Sequence, residues 1–297
     1  RVTEIDSLIP EYGGKLFNVA AYEDKIKVNI ADVRDEHSMD YLVRWQDFIF
    51  NLAGQLSHID SMRDPYTDLE INCRSQLSIL EACRKNNPQA RIIYSGTRQV
   101  YGKPHYLPVD EKHLVDPVDV NGVNKVAGEW YHIVYHRAYG LRATSLRLTN
   151  TYGPRMRVVD ARQTFLGIWI RRMIEGEEIL IYGDGEQKRD LNYVEDVVDV
   201  LLMTAANDST IGEIYNLGGD EIVSLKTLAQ MLIEANNGEG KSKLIPFPPE
   251  QKAIDIGDYY GDYAKIKQAL GWQPKVGLAE GLKRTLEYYR QNRSEYW

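Results

Sequence analysis

The sequence predicts an α/β protein built on a doubly wound parallel sheet. Short apolar runs rich in β-branched residues alternate with longer segments of helical periodicity through the first half of the chain. The runs lack the polar alternation of a strand with one wet face, which is typical of parallel strands covered by helices on both sides. A length of 297 residues suffices for about two domains and a sizeable core.

Five strands and two long helices account for the first half. The strands are predicted at residues 1–6, 25–30, 47–54, 90–97 and 142–148. One helix extends from Tyr66 to Asn86 and is ended by Pro88, and another extends from Asn121 to Tyr139 and is ended by Gly140. Because strand–helix–strand units connect in a right-handed sense, this order builds a doubly wound sheet.

The pattern loosens after about residue 155. Further helices are predicted at 165–175, 193–206, 225–236, 263–270 and 278–289, strands at 178–182 and 214–217, and a Pro-rich loop at 246–249. We expect a nucleotide-binding domain at residues 1–155 and a smaller α/β substrate lobe at 156–297, with a segment of about 185–215 exchanged between them. Ligands of open α/β sheets bind at the carboxyl ends of the strands, where we expect the site.

Composition excludes several classes of function. A net charge of −7 argues against a nucleic-acid partner or an anionic membrane surface. No apolar run approaches the ~20 residues of a membrane span, and the six histidines show no metal-ligand spacing, so no metal site is expected. Cys73 and Cys83 lie ten residues apart on one predicted helix, too far for a disulfide, and reduced thiols indicate a cytoplasmic protein.

Polar residues follow successive predicted strands. Asp6 ends the first strand, Asp32 and Val33 follow the second, and Asn51-Leu-Ala-Gly-Gln55 follows the third. An acid at such a strand end accepts hydrogen bonds from a ribose, although a single acid there is more often a turn residue or a helix cap. Their succession along one sheet edge is more specific than any member, and it favours a dinucleotide site.

The chain resembles the nucleotide-sugar epimerase/dehydratase branch of the extended short-chain dehydrogenase/reductase family. The resemblance covers nearly the whole chain in ordered short motifs. They are Asn51-Leu-Ala-Gly-Gln55, Asp64-Pro65, Asn72, Ser95-Gly-Thr97, Val100-Tyr-Gly102, Lys125, Arg147-Leu-Thr-Asn-Thr-Tyr-Gly-Pro154, Tyr182-Gly-Asp-Gly-Glu-Gln187, Arg189-Asp190, Tyr193-Val194, Asp196, Asn216-Leu-Gly-Gly219 and Leu270-Gly-Trp-Gln-Pro274.

The resemblance implies a Rossmann-type fold that binds NAD. Asp6 would hold the adenosine ribose, and Asp32 and Val33 would contact the adenine. Lys125 would bind the nicotinamide ribose. The remaining implied cofactor residues are Ala53, Gln55 and Ser95.

The resemblance also implies a nucleotide-sugar substrate, with a UDP-sugar as the first expectation. Thr97 would bind the sugar hydroxyl that is oxidised. Asn150 would contact the sugar or its phosphate, and Arg189 the diphosphate. Lys252 and Asp255 fall where a family Arg-x-x-Asp holds the diphosphate and the nucleoside ribose.

One departure from the family concerns the catalytic base. The family has a Tyr four residues before the Lys, whereas this chain has Asn121 before Lys125. A carboxamide does not titrate near neutral pH, so Asn121 cannot take the hydroxyl proton. Either another residue does so, with Tyr101, Tyr152 and Lys125 as candidates, or the chemistry is lost.

A second departure concerns the phosphate loop. No Gly-x-x-Gly-x-x-Gly occurs in the chain, and residues 1–6 already match the second strand of the family. We therefore expect a chain truncated at its N-terminus, which lacks the first, central strand and the glycine-rich loop. If that segment is absent from the protein, cofactor affinity should be poor, because helix N–H groups there bind the pyrophosphate.

These residues favour an NAD-dependent nucleotide-sugar epimerase, similar to UDP-glucose 4-epimerase, which oxidises a sugar carbon transiently and reduces it again. Family dehydratases carry an Asp-Glu pair after the Thr, where this chain has Arg98-Gln99. A dehydratase, and a non-catalytic relative that only binds nucleotide sugars, remain alternatives. Apolar residues such as Trp130 and Val134 on more than one face of the two long helices predict a homodimer.

Overall fold

The computed structural model describes residues 1–161 and 164–297. The strands are β1 (Val2–Asp6), β2 (Ile26–Ile30), β3 (Phe48–Asn51), β4 (Arg91–Thr97), β5 (Arg142–Leu148), β6 (Asn150–Tyr152), β7 (Ile179–Tyr182), β8 (Lys188–Arg189), β9 (Leu191–Tyr193), β10 (Ile214–Asn216), β11 (Val223–Ser224) and β12 (Ser242–Ile245). The α-helices are α1 (Glu36–Leu42), α2 (His58–Arg63), α3 (Pro65–Leu69), α4 (Ser75–Asn86), α5 (Val120–Tyr139), α6 (Phe165–Glu175), α7 (Val194–Ala206), α8 (Leu225–Ala235), α9 (Pro249–Ala253), α10 (Ala264–Leu270), α11 (Leu278–Gln291) and α12 (Arg293–Tyr296).

The predicted α/β class is confirmed, and the five predicted strands of the first half correspond to β1–β5. The helix predicted from Tyr66 to Asn86 consists of α3 and α4 joined by a π-helical turn at Glu70–Arg74. Among the described residues, the sequence prediction missed the helices α1, α2, α9 and α12 and the strands β6, β8, β9, β11 and β12. α1 and α2 begin at side-chain caps, because Asp35 accepts from the His37 amide and Ser57 from the Asp60 amide.

The chain divides into two compact units. The first comprises residues 1–100, 119–147 and 201–214, and the second comprises 101–118, 148–200 and 215–297. Segment 101–118, which the sequence prediction assigned to the first domain, groups with the second unit, and 201–214 groups with the first. Each unit is therefore discontinuous in sequence.

Two groups of parallel strands form the sheet structure of the first unit. β1 pairs with β2, Val2 opposite Ile26, and β3 pairs with β4, Phe48 opposite Arg91. The second group is a four-stranded sheet in the order β10-β5-β4-β3, and within the described residues neither β1 nor β2 pairs with β3. Side chains of β3 are accordingly open to solvent, with Phe48 51% and Phe50 36% exposed.

Helix α5 packs closely on β4 and on the π-helical turn. A Cβ atom at Gly128 would lie 2.8 Å from the Tyr94 hydroxyl and 2.9 Å from the Asn72 carbonyl oxygen, so this crossing requires glycine. Asp119 caps the helix by accepting from the Gly122 amide at 2.6 Å, and Gly140 ends it in the left-handed conformation. The first turns of α5 are thereby fixed near the carboxyl end of β4.

The second unit is organised around the buried Asp190. Its carboxylate accepts from the Thr149 hydroxyl at 2.5 Å, from the Gly261 amide at 3.0 Å and from the Gly219 amide at 3.3 Å. The strands of the second unit form three pairs: β6 with β9, β7 with β12, and β8 with β11. Among the helices described, none combines the length and apolarity needed to cross a membrane.

Candidate functional site

The polar residues predicted at strand ends lie where parallel strands finish. Asp6 is the last residue of β1 and Asp32 follows β2, the strand paired with it in parallel. Asp6 accepts from the Leu8 amide at 2.6 Å. Asp32 forms a two-pronged ion pair with Arg34, which lowers the pKa of Asp32 because the guanidinium hydrogen bonds stabilise the carboxylate. Val33 is partly buried against the core.

Lys125 is a buried cation. The residue is 3% exposed, and its ammonium nitrogen lies 5.7 Å from the centre of the Tyr94 ring. Burial lowers the pKa of Lys125 to about 8, although the charge of Asp68 opposes the change. The ammonium has no hydrogen-bonding partner among the residues that the structure describes. A buried donor of this kind fits a ligand that supplies hydroxyl oxygens, such as the ribose of a dinucleotide.

Glycine 54 leaves room for that ammonium. A Cβ atom at Gly54 would lie 2.6 Å from Lys125 Nζ and 3.0 Å from Asn72 Oδ1. Ala53, the residue before it, and Ser95 in β4 are half-buried near the ends of their strands. The arrangement therefore accommodates the predicted cofactor contacts of Ala53, Ser95 and Lys125.

Asn121 belongs to a buried amide network around Asp68. Its Nδ2 donates to Asp68 Oδ2 at 3.0 Å and to the Gln55 carbonyl oxygen at 2.9 Å. The amides of Asn72 and Asn124 also donate to Asp68, at 3.0 and 2.7 Å. Asn121 is 2% exposed. The side chain that replaces the family Tyr is thus held by hydrogen bonds in the protein interior, where it also contacts Gln55.

Hydrogen bonds of Gln99 connect Thr97 to the carboxylate of Asp119, which the sequence did not single out. The Thr97 hydroxyl accepts from the backbone N–H of Gln99 at 3.2 Å, and Gln99 Nε2 donates to Asp119 Oδ2 at 2.8 Å. His58 Nδ1 lies 2.9 Å from the same Asp119 oxygen. Burial opposes ionisation of Asp119, but His58, the Gly122 amide and Gln99 outweigh it and hold the pKa of Asp119 below its usual value.

The two tyrosines considered as alternative bases lie in the second unit, where both hydroxyls donate hydrogen bonds to protein acceptors. The Tyr101 hydroxyl is buried and donates to Asn216 Oδ1 at 2.6 Å. The Tyr152 hydroxyl donates to the Leu278 carbonyl oxygen at 3.4 Å, and burial raises the pKa of Tyr152. Phenols held in this way as hydrogen-bond donors are poor proton acceptors.

The second unit brings three of the predicted substrate residues together. The Arg189 guanidinium donates to the Gly257 carbonyl oxygen at 2.5 Å, and the Gly257 amide donates to Asp255 Oδ1 at 3.3 Å. Lys252 Nζ lies 3.4 Å from Asp255 Oδ2. Asn150 lies in β6, opposite Leu191 of β9. Arg189, Lys252 and Asp255 therefore form one polar cluster within this unit.

Other buried ionisable side chains have structural partners. Arg147 forms a buried ion pair with Glu129 at 2.5 Å, and Ser145 donates to the same carboxylate. His132 stacks on Tyr94 at 4.4 Å. Burial lowers the pKa of His132 to about 4, so this imidazole is neutral at pH 7. Over residues 1–161 and 164–297, no group of three or more His, Cys, Asp or Glu side chains could hold a metal ion.

Comparisons with known proteins agree on one family. A family model described as the NAD dependent epimerase/dehydratase family matches residues 11–218. The chain is 33% identical to a Methanocaldococcus jannaschii protein provisionally assigned as UDP-glucose 4-epimerase, over 88% of this chain and 83% of that protein. It is 30% identical to a UDP-glucose 4-epimerase of Mycolicibacterium smegmatis, over 93% and 86% of the two chains.

Solved structures show the same fold. A UDP-glucose 4-epimerase of Thermotoga maritima, solved with UDP-glucose, matches with a TM-score of 0.89 at 31% identity and covers 98% of this chain and 91% of its own. A dTDP-glucose 4,6-dehydratase of Streptomyces venezuelae, solved with NAD, matches with a TM-score of 0.90 at 25% identity and covers 100% and 89%. The cofactor of this family is NAD. With these similarities over most of its length, the chain belongs to the NAD-dependent epimerase/dehydratase family.

Proposed function

We propose that the protein is an NAD-dependent nucleotide-sugar epimerase that acts on a UDP-hexose, in the manner of a UDP-glucose 4-epimerase. Two observations carry the proposal: Thr97 ends β4, and Lys125, whose ammonium is buried, lies on the helix that packs on β4. The first is suited to a sugar hydroxyl and the second to a ribose.

The dinucleotide supplies a hydride acceptor that can also return the hydride. In the proposed complex Asp6 holds the adenosine ribose, Asp32 and Val33 contact the adenine, and Lys125 binds the nicotinamide ribose. The remaining cofactor contacts come from Ala53, Gln55 and Ser95. The positive charge of Lys125 also favours the form of the nicotinamide that has accepted electrons.

We propose the following contacts to the nucleotide sugar. Thr97 orients the hydroxyl at the carbon that is oxidised, and Asn121 belongs to the wall beside it. Asn150 contacts the sugar or its phosphate, while Arg189, Lys252 and Asp255 bind the diphosphate and the nucleoside ribose. The polar cluster of Arg189, Lys252 and Asp255 supports this assignment, because it carries two cations against one carboxylate.

Epimerisation is favoured over dehydration by the residues that follow Thr97. Elimination of water needs an acid and a base beside the sugar. Here Arg98 and Gln99 occupy those positions, and the Gln99 amide is committed to Asp119. The 33% and 30% identical relatives named above also carry epimerase names.

The test is a product analysis. The protein is incubated with NAD⁺ and, separately, UDP-glucose, UDP-galactose and dTDP-glucose, and the nucleotide sugars are separated by ion-exchange chromatography. We expect interconversion of UDP-glucose and UDP-galactose. A 4-keto-6-deoxy product would instead identify a dehydratase. Calorimetric binding of both ligands without any product would identify a non-catalytic relative, which is the alternative that Asn121 favours.

We further propose that the protein is a homodimer of the cytoplasm. Val123, Trp130 and Val134 form an exposed apolar stripe on α5, because positions seven and eleven residues apart share a helix face. Tyr66 and Leu69 add exposed apolar surface on α3. Both buried cysteines are unpaired, which is consistent with a reducing compartment.

A further inference from the structure

We propose that His58, oriented by Asp119, accepts the hydroxyl proton that the Tyr of the family motif accepts elsewhere. The inference rests on the proposed epimerase function and deepens it, because it names the base that Asn121 cannot be. Neither residue was singled out by the sequence, where His58 is one of six scattered histidines.

The position of His58 is fixed relative to Thr97 and Asn121. Asp119 Oδ2 accepts from Gln99 Nε2 at 2.8 Å and lies 2.9 Å from His58 Nδ1, and the backbone N–H of Gln99 donates to the Thr97 hydroxyl. Ser61, one turn after His58, accepts from the backbone N–H of Asn121 at 3.1 Å. His58 is thus held between the residue that would bind the sugar hydroxyl and the residue that replaces the Tyr.

The environment of the imidazole suits a proton acceptor. Asp119 is buried and ionised, whereas the His58 side chain is 38% exposed. With Nδ1 directed to the carboxylate, Nε2 is the nitrogen that can meet a substrate or a water molecule. The approach of Nδ1 to Asp119 Oδ2 is a close charge contact rather than a hydrogen bond.

The step balances without a further reactant. The O–H bond of the sugar breaks and its proton goes to His58 Nε2, while the C–H bond at the same carbon breaks and its hydride goes to NAD⁺. The products are a ketone, an imidazolium and the reduced dinucleotide. Asp119 stabilises the imidazolium by its charge. The reverse transfer to the other face of the ketone restores His58 and gives the epimer.

The other candidates for the base are less well placed. Asn121 does not titrate, and the hydroxyls of Tyr101 and Tyr152 are donors to protein acceptors. The Lys125 ammonium is needed by the proposed cofactor contact, and its pKa of about 8 leaves it mostly protonated at pH 7. His58, in contrast, lies against Asp119, which the hydrogen bonds of Gln99 connect to Thr97.

The test combines turnover with a spectroscopic readout. His58→Gln should lower kcat by about 10²–10⁴-fold, with NAD⁺ and UDP-glucose affinities measured by calorimetry within about threefold of the parent. His37→Gln, at an exposed histidine in α1, is the matched control and should leave kcat unchanged. If His58→Gln does not fold, His58→Ala is assayed with added imidazole, which should restore part of the turnover.

Asp119 is a positioning residue and is tested by ¹⁵N-histidine NMR. In the parent, the His58 signals should show the proton on Nδ1 and should shift when UDP-glucose is added to the NAD⁺-loaded protein. Asp119→Asn should remove the tautomer preference. The role of His58 would be overturned by an active parent whose kcat is unaffected by His58→Gln, or by His58 signals that do not shift when the nucleotide sugar is added. Either result would leave the proposed function standing. A parent that binds both ligands and turns over none of the sugars overturns the proposed function, and the proton transfer with it.

Discussion

Replacing Lys125 by Met should stabilise the protein and impair its use of the cofactor. The substitution removes the ammonium and keeps the length of the side chain. A pKa lowered to about 8, against 10.5 for an exposed lysine, means that keeping the charge in the buried position costs the folded protein about 3 kcal/mol at neutral pH. Lys125→Met avoids that cost, so its unfolding free energy at pH 7 should exceed that of the parent by up to about 3 kcal/mol.

The pH dependence gives the sign of the effect. Below pH 8 both the folded and the unfolded parent carry the charge, so the full cost is present. Between pH 8 and 10.5 the folded state has lost the proton while the unfolded state keeps it, and the unfolding free energy of the parent therefore rises with pH relative to the variant. The difference between the two proteins should vanish above about pH 10.5.

Urea unfolding without ligands, at pH 7 and at pH 10, measures both quantities, and calorimetry measures NAD⁺ affinity. Lys85→Met, at an exposed lysine of α4, is the control and should change neither. NAD⁺ affinity should fall in Lys125→Met only. Two results would refute the conclusion that the buried charge of Lys125 destabilises the folded protein. One is a variant less stable than the parent at pH 7, and the other is a stability difference that does not shrink as the pH rises.

Three other substitutions test separate features. His132→Phe keeps the ring that stacks on Tyr94, and its unfolding free energy should fall less on acidification than that of the parent. The parent should lose about 3 kcal/mol between pH 6.5 and pH 4, because the pKa of His132 is lowered in the folded state and only the unfolded state takes up the proton in that range. Equal losses of unfolding free energy in urea titrations of the two proteins would contradict this. Asn121→Tyr should lower turnover and cost about 1–3 kcal/mol by overpacking a buried position, whereas a gain of about 10²–10⁴-fold over an inactive parent would identify a non-catalytic relative. Trp130→Glu should convert the proposed dimer to a monomer in sedimentation velocity. Val198→Glu, at an exposed position of the second unit, is the control and should leave the dimer intact. A monomeric parent would count against the apolar stripe as an interface.

The strands and long helices were predictable because their periodicity extends over enough residues to be seen. α5 is the best example, since its twenty residues carry both a capping Asp119 and a terminating Gly140. The short helices α1 and α2 were missed because six or seven residues do not show a helical period. Their only signal is the cap, at Asp35 and at Ser57.

The candidate site was predictable where residues follow a strand and not where they meet through space. Thr97 and Lys125 are found from local motifs. The contact of His58 with Asp119 joins residues 61 positions apart, and the network of Asp68 with Asn121 spans 53. No local pattern contains such a pair, so only the packing of α2 and α3 against α5 reveals it.

The amide network around Asp68 has a consequence for how position 121 can change. Three asparagine amides, from Asn72, Asn121 and Asn124, converge on one buried carboxylate. Exchanging Asn121 for Tyr withdraws one donor and inserts a ring, so the effect of the exchange depends on what residue 68 is. The two positions should therefore be strongly non-additive in a double-mutant cycle. A Tyr at position 121 should therefore be tolerated better when residue 68 changes with it than when Asp68 is kept.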